Sequence, residues 1–131
     1  MAAVARILVV DDNAVMLDAI SQMLRHDGHE VFPAAGPRQA LEIIKNIPAV
    51  HLVLSDIVMP EMQGAQLIRE VVRLSPQTVG MLMTGFVRNA EDVPDGVALL
   101  KKPFTRQELV CAVETALSPL RLDAGFLIKD R

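Results

Sequence analysis

Four short, unbroken apolar runs, Ile7 to Val10, Leu52 to Leu54, Met81 to Met83 and Val97 to Leu100, constrain this chain more than any other feature. Runs without polar alternation read as strands covered on both faces, the condition of a parallel sheet flanked by helices. Glu30 to Ala34 is a weaker fifth candidate. Between the runs, Met16, Ala19, Ile20, Met23 and Leu24 recur at the spacing of a helix with one buried face, and Gly28 supplies its stop. Gly36 and Pro37 open a second helix with Ala40, Leu41 and Ile44 inward, and Pro48 follows its end. Leu67, Ile68, Val71 and Val72 mark a third. Thr105 and Glu108 have capping-box spacing ahead of a last helix whose apolar face is Leu109, Val110, Val113, Ala116 and Leu117. Strands alternating with helices require right-handed parallel crossovers, so the pattern predicts a doubly wound, three-layer α/β domain.

With 131 residues, the chain is long enough to bury one core without disulfides, and no repeat, low-complexity tract or linker divides it. We expect one domain over 1–118 and a C-terminal tail over 119–131, where Pro119 and Gly125 interrupt apolar residues. Trp and Tyr are absent and only four Phe occur, so the core is aliphatic and Met-rich. A net charge of −3 without clustered Lys and Arg argues against direct DNA binding. The lone Cys111 lies in an apolar helical pattern, which predicts a packing role and a reducing compartment. No membrane-length apolar stretch or leader pattern is present, which predicts a cytoplasmic protein.

Ligands of open parallel sheets collect at the carboxyl ends of the strands. Asp11 and Asp12 follow the first run, Asp56 the second after Ser55, Thr84 the third and Lys102 the last. Each has an ordinary reading: Asp12 or Asn13 as a helix cap, Asp56 and Thr84 as turn residues before Pro60 and Gly85, Lys102 as a solvated charge. Chance would nevertheless have to put an acidic pair, an acid, a hydroxyl and a lysine at the ends of four different strands. Three converging carboxylates repel, and hold either a shared proton or a hard, oxygen-preferring cation such as Mg²⁺.

From about Arg6 to Leu117 the chain resembles the receiver domain of two-component response regulators. The resemblance is carried by Ile7-Leu-Val-Val-Asp-Asp-Asn13, by Leu52-Val-Leu-Ser-Asp-Ile-Val-Met-Pro60 with Gly64, by Met83-Thr-Gly85 and by Lys102-Pro-Phe104. It implies a flavodoxin-like sheet of five parallel strands in the order 2-1-3-4-5. It also implies a switch that accepts a phosphoryl group on Asp56 from the phosphohistidine of a histidine kinase or histidine phosphotransfer protein, either standing alone or as part of a hybrid kinase. By the same resemblance Asp12 and Asp56 would ligate Mg²⁺ directly, Asp11 through water, and the Val58 carbonyl would complete the protein ligands. Lys102 and Thr84 would hold the phosphoryl oxygens, and the Lys102–Pro103 peptide would be cis.

The chain departs from that family at Leu99, where an aromatic residue is usual, and in the short stretch between Thr84 and Lys102, which predicts a stunted or missing fourth helix. Output through the usual face of fourth helix, fifth strand and fifth helix is then not expected, and the downstream partner is not specified. Val58 and Phe86, apolar residues two beyond Asp56 and Thr84, are expected to leave no group that orients an attacking water, which predicts slow loss of the phosphoryl group. His26, His29 and His51 read as structural, at a helix end and at the far end of a strand. Asp11 and Asp12 are adjacent, which speaks against phosphatases of the haloacid dehalogenase type, whose two aspartates are spaced by one residue.

Overall fold

The computed structural model describes residues 4–85, 93, 94 and 96–122, with side chains up to Ser118. Five strands, β1 (Arg6–Val10), β2 (Glu30–Ala34), β3 (Leu52–Asp56), β4 (Val79–Thr84) and β5 (Ala98–Lys101), form one parallel sheet in the order β2-β1-β3-β4-β5. The helices are α1 (Ala14–His26), α2 (Pro37–Asn46), α3 (Gly64–Leu74) and α4 (Arg106–Leu122). The expected doubly wound α/β architecture and strand order are therefore those observed, and the weak fifth candidate is the edge strand β2.

Alternate residues of each strand feed two separate cores. On one side Ile7, Val9, Leu52, Leu54, Met81 and Met83 pack with Ile20 and Leu24 of α1 and with Leu109, Val113 and Leu117 of α4. On the other, Leu8, Val10, Val53 and Leu82 pack with Ala40 and Ile44 of α2 and with Leu67, Ile68 and Val71 of α3. This two-sided burial is why the strands are continuously apolar.

The helix ends follow local chemistry. Asn13 Oδ1 accepts the Met16 N–H at 3.1 Å, so Asn13, not Asp12, caps α1. Gly28, with φ of 97°, ends that helix in a conformation that favours glycine. At α4 the capping box is reciprocal: the Glu108 N–H donates to Thr105 Oγ1 at 3.0 Å, and the Thr105 N–H to Glu108 Oε1 at 2.8 Å.

Two expectations are corrected. Cys111 is exposed, because Leu109, Val113 and Leu117 define the inward stripe of α4 and residue 111 falls on the opposite face. Val72 is likewise an outward residue of α3. The Lys102–Pro103 peptide is cis, as expected. No helix is present between β4 and β5 among the described residues, and the rest of that stretch, 86–92 and 95, lies outside them, as do Phe86 and 123–131. The four residues after Ser118 continue the backbone of α4. Among the described residues no helix is long and apolar enough to cross a membrane.

Candidate functional site

The sheet order reverses direction between β1 and β3, and a crevice opens at the carboxyl ends of those two strands. Asp11 stands directly after β1 and Asp56 is the last residue of β3, so the topology sets both carboxylates at that crevice. Their positions are held by backbone pairing. The Asp11 N–H donates to the Ala34 carbonyl of β2 at 3.2 Å, and the Ile57 N–H continues the β3–β4 ladder to the Met83 carbonyl at 3.0 Å. Thr84 ends β4 with its side chain buried, and its carbonyl accepts the Lys102 N–H at 2.7 Å. That bond fastens the start of the Lys102 segment to the strand beside Asp56.

Lys102 then reaches back over the crevice. Its Nζ lies 3.2 Å from Asp11 Oδ2 and 3.5 Å from Asp56 Oδ2. Asp11 is fully buried and its other oxygen accepts the Asn13 N–H at 2.9 Å, so the turn into α1 also orients it. Asp12 is exposed at the rim. Asp11, Asp12 and Asp56 each offer a carboxylate oxygen, all within 4.8 Å of one another. Three anionic oxygen donors at one point suit a hard divalent cation of the Mg²⁺ kind and do not suit a thiophilic metal.

Burial pushes the Asp56 carboxyl above its ordinary range. The Lys102 ammonium opposes this, the Asp11 charge adds to it, and the Val58 N–H and the Lys102 hydrogen bond oppose it more weakly. Removing water from the carboxylate therefore outweighs the single cation now facing it. The side chain of Val58, the second residue of the loop after β3, is half-exposed at the mouth. Sequence patterns did not single out Ser55, whose hydroxyl donates to the Asp56 carbonyl at 2.9 Å beneath the site. Its only signal was a polar residue between an apolar run and Asp56.

A second group, Asp27, His29 and Glu114, brings three possible ligand atoms within 4.8 Å at the opposite end of the sheet. Here the hydrogen bonds argue for structure. His29 Nδ1 accepts the Ala5 N–H at 3.1 Å, so the ring proton sits on Nε2, 3.4 Å from Asp27 Oδ2. A ligating histidine normally donates from its other nitrogen, and this one accepts there, so binding a cation at Nε2 would require an imidazolate. His51, fully buried, accepts the Arg6 N–H through Nδ1 at 2.9 Å, and His26 is exposed at the end of α1. His29 and His51 thus serve the scaffold by accepting backbone N–H groups, the structural role expected of them.

Comparison with known proteins agrees with this geometry. Residues 7–114 match the response regulator receiver domain family. The response regulator receiver protein CpdR of Brucella abortus (strain 2308) is 34% identical over 116 residues, covering 86% of this chain and 96% of that one. The sensor kinase CckA of the same organism is 33% identical over 116 residues, covering 85% of this chain but only 12% of the kinase. Among solved structures, a CheY-like response regulator receiver domain protein from Methanospirillum hungatei JF-1 superposes with a TM-score of 0.83 at 29% identity, covering 93% of this chain and 100% of that one. Because the family match runs over residues 7–114, most of the chain, the chain belongs to the response regulator receiver domain family of two-component signalling.

Proposed function

We propose that Asp56 accepts a phosphoryl group from a phosphohistidine, and that the resulting aspartyl phosphate switches the contacts of this domain with other proteins. The observation that carries this is the position of Lys102 Nζ, 3.5 Å from Asp56 Oδ2 and 3.2 Å from Asp11 Oδ2, over a crevice already lined with acidic oxygen donors. Asp12, Asp56 and the Val58 carbonyl would hold Mg²⁺ directly and Asp11 would hold it through water. When bound, the metal supplies positive charge against that of the phosphoryl oxygens.

The protein's own residues account for the rest. An Asp56 carboxylate oxygen attacks phosphorus as the bond from phosphorus to the donor imidazole breaks, and the imidazole leaves as a neutral ring once it has taken a proton. Charge spreads over the three equatorial oxygens, so positioning and electrostatic stabilisation supply nearly all of the catalysis. Lys102, tied to Thr84 through its backbone, supplies a fixed cation whose bond to the Asp56 carboxylate is exchanged for one to a phosphoryl oxygen. The Thr84 hydroxyl hydrogen-bonds another phosphoryl oxygen and moves inward with it, which is the conformational step. Leu99 in β5, half-buried against the α2–α3 core, offers no ring to follow Thr84, so the output runs through a surface other than the one usual for the family.

The donor would be a histidine kinase or histidine phosphotransfer protein, as the likeness to CpdR and to the receiver segment of CckA supports. A cytoplasmic location follows from such a donor. Val58 and Phe86, by sequence two residues beyond Asp56 and Thr84, are apolar and offer no group to orient an attacking water, so loss of the phosphoryl group is slow and is accelerated by Phe86→Glu. Incubation with a small phosphoryl donor and Mg²⁺ should raise the intact mass by one phosphoryl group, and Asp56→Asn should abolish the gain. A wild-type chain that stays unmodified would make the domain an interaction module instead.

A further inference from the structure

Gly64, the first residue of α3, has no positive φ, so freedom of its own backbone is not why glycine stands there. What surrounds it is tighter than at the other described glycines. A Cβ at this position would overlap the carbonyl oxygen of Asp56 and come within 2.9 Å of Leu82 Cδ2. The α-hydrogen that a side chain would replace is therefore pressed against the backbone of the acceptor residue, the geometry of a weak Cα–H···O contact.

The Asp56 carbonyl cannot yield easily. Asp56 is in register with Met83 of β4, the next N–H of the chain is bonded to the Met83 carbonyl, and Leu82 is fully buried in the core. The part that can move is the 57–63 loop together with the first turn of α3. That loop is closed by one short bond, from the Gly64 N–H to the Ile57 carbonyl at 2.7 Å, and Val58 stands inside it with its N–H directed to the Asp56 carboxylate. Lifting residue 64 off Asp56 stretches that bond and carries Val58 away from the crevice.

We infer that Gly64 is a positioning residue of the site, and that its missing side chain lets α3 seat on the Asp56 carbonyl and hold the Val58 peptide where it can serve the cation and the acceptor. This rests on the proposed roles of Asp56 and Val58. Gly80, the second residue of β4, provides the control, because a Cβ there meets Ile68 Cγ2 at 2.6 Å and presses on the same helix through a side chain, remote from the Asp56 backbone.

The test uses the full chain as wild type, Gly64→Ala and Gly80→Ala. Mg²⁺ affinity is measured by calorimetric titration, since no Trp or Tyr reports on the site, phosphoryl uptake by intact mass, and folding by circular dichroism. Gly64→Ala should fold, bind Mg²⁺ at least about ten-fold more weakly and take up the phosphoryl group correspondingly more slowly, with the amide resonances of Ile57 and Val58 displaced. Gly80→Ala should lose stability and keep the wild-type Mg²⁺ affinity. Unchanged affinity in Gly64→Ala, an equal loss in Gly80→Ala, or a Gly64→Ala chain that does not fold would overturn the inference, the last by making Gly64 a residue of the fold and not of the site. A wild-type chain that neither binds Mg²⁺ nor takes up phosphoryl would instead sink the function on which the inference rests.

Discussion

Lys102 Nζ lies 3.2 Å from Asp11 Oδ2 although 91 positions separate the two residues in the chain. Asp11 is fully buried and the Lys102 side chain is partly buried, which gives the pair a structural weight that a surface ion pair lacks. Lys102 also faces Asp56, so one cation holds together two carboxylates that would otherwise repel.

Lys102→Ala should consequently destabilise the Mg²⁺-free domain by about 3 kcal/mol, because Asp11 would remain buried without its partner. Urea denaturation in chelator should show the lower midpoint, and saturating Mg²⁺ should recover part of it. Uptake of the phosphoryl group at Asp56 should slow by roughly a hundred-fold, the scale on which a positioned stabilising donor is worth.

Burial raises the Asp56 carboxyl above its ordinary range, and this fixes the sign of its effect on stability. As pH rises from below about 4, the unfolded chain loses this proton first, so folding stability falls until the folded carboxyl has also ionised. Above that window the cost is constant. Asp56→Asn removes it, and in Mg²⁺-free buffer at pH 7 should melt at a higher temperature than wild type. The two melting temperatures should converge as pH is lowered through the window, and a variant that is less stable at pH 7 would show the sign to be wrong.

Asp12 is exposed and carries no packing, so Asp12→Ala should leave stability in chelator within about 0.5 kcal/mol of wild type. Its Mg²⁺ affinity should fall at least about ten-fold, visible as a smaller rise in melting temperature at a given Mg²⁺ concentration. Full retention of the Mg²⁺ effect would remove Asp12 from the ligand set.

His51 accepts a backbone N–H in the interior, far from the crevice. His51→Ala should cost about 1–3 kcal/mol by leaving the Arg6 N–H without its acceptor. Phosphoryl uptake at Asp56 should survive at temperatures where the variant is folded. Loss of uptake in a folded variant would mean that this histidine has a role beyond the scaffold.

Much of the fold was legible because the two core faces oblige the inner strands to be largely apolar, and because the helix signals are local. Gly28 and the Thr105–Glu108 capping box act within one turn of the chain, so sequence spacing finds them. The exposure of Cys111 and Val72 was not legible, because an apolar pattern gives a helix its stripe but not the angle at which the stripe meets the sheet. Asp11, Asp12, Asp56 and Lys102, which the structure brings together, were legible as strand-end positions. Ser55 and the role inferred for Gly64 were not: a hydroxyl at a strand end has several possible partners, and the fit at Gly64 depends on where the Asp56 carbonyl from the end of β3 arrives.

By itself, then, the sequence determined the alternation of strands and helices, the identity of the acidic, hydroxyl and basic residues at the strand ends, and the chemistry open to them. Only the tertiary structure decided that Lys102 spans Asp11 and Asp56, that Asn13 and not Asp12 caps α1, that His29 is turned away from metal binding, and that α3 rests on the Asp56 carbonyl. The physical reason is one of range. Periodicity, capping and turn preferences act over a few residues, whereas the distance between a charge and its partner is set by strand order, register and packing summed over the whole domain.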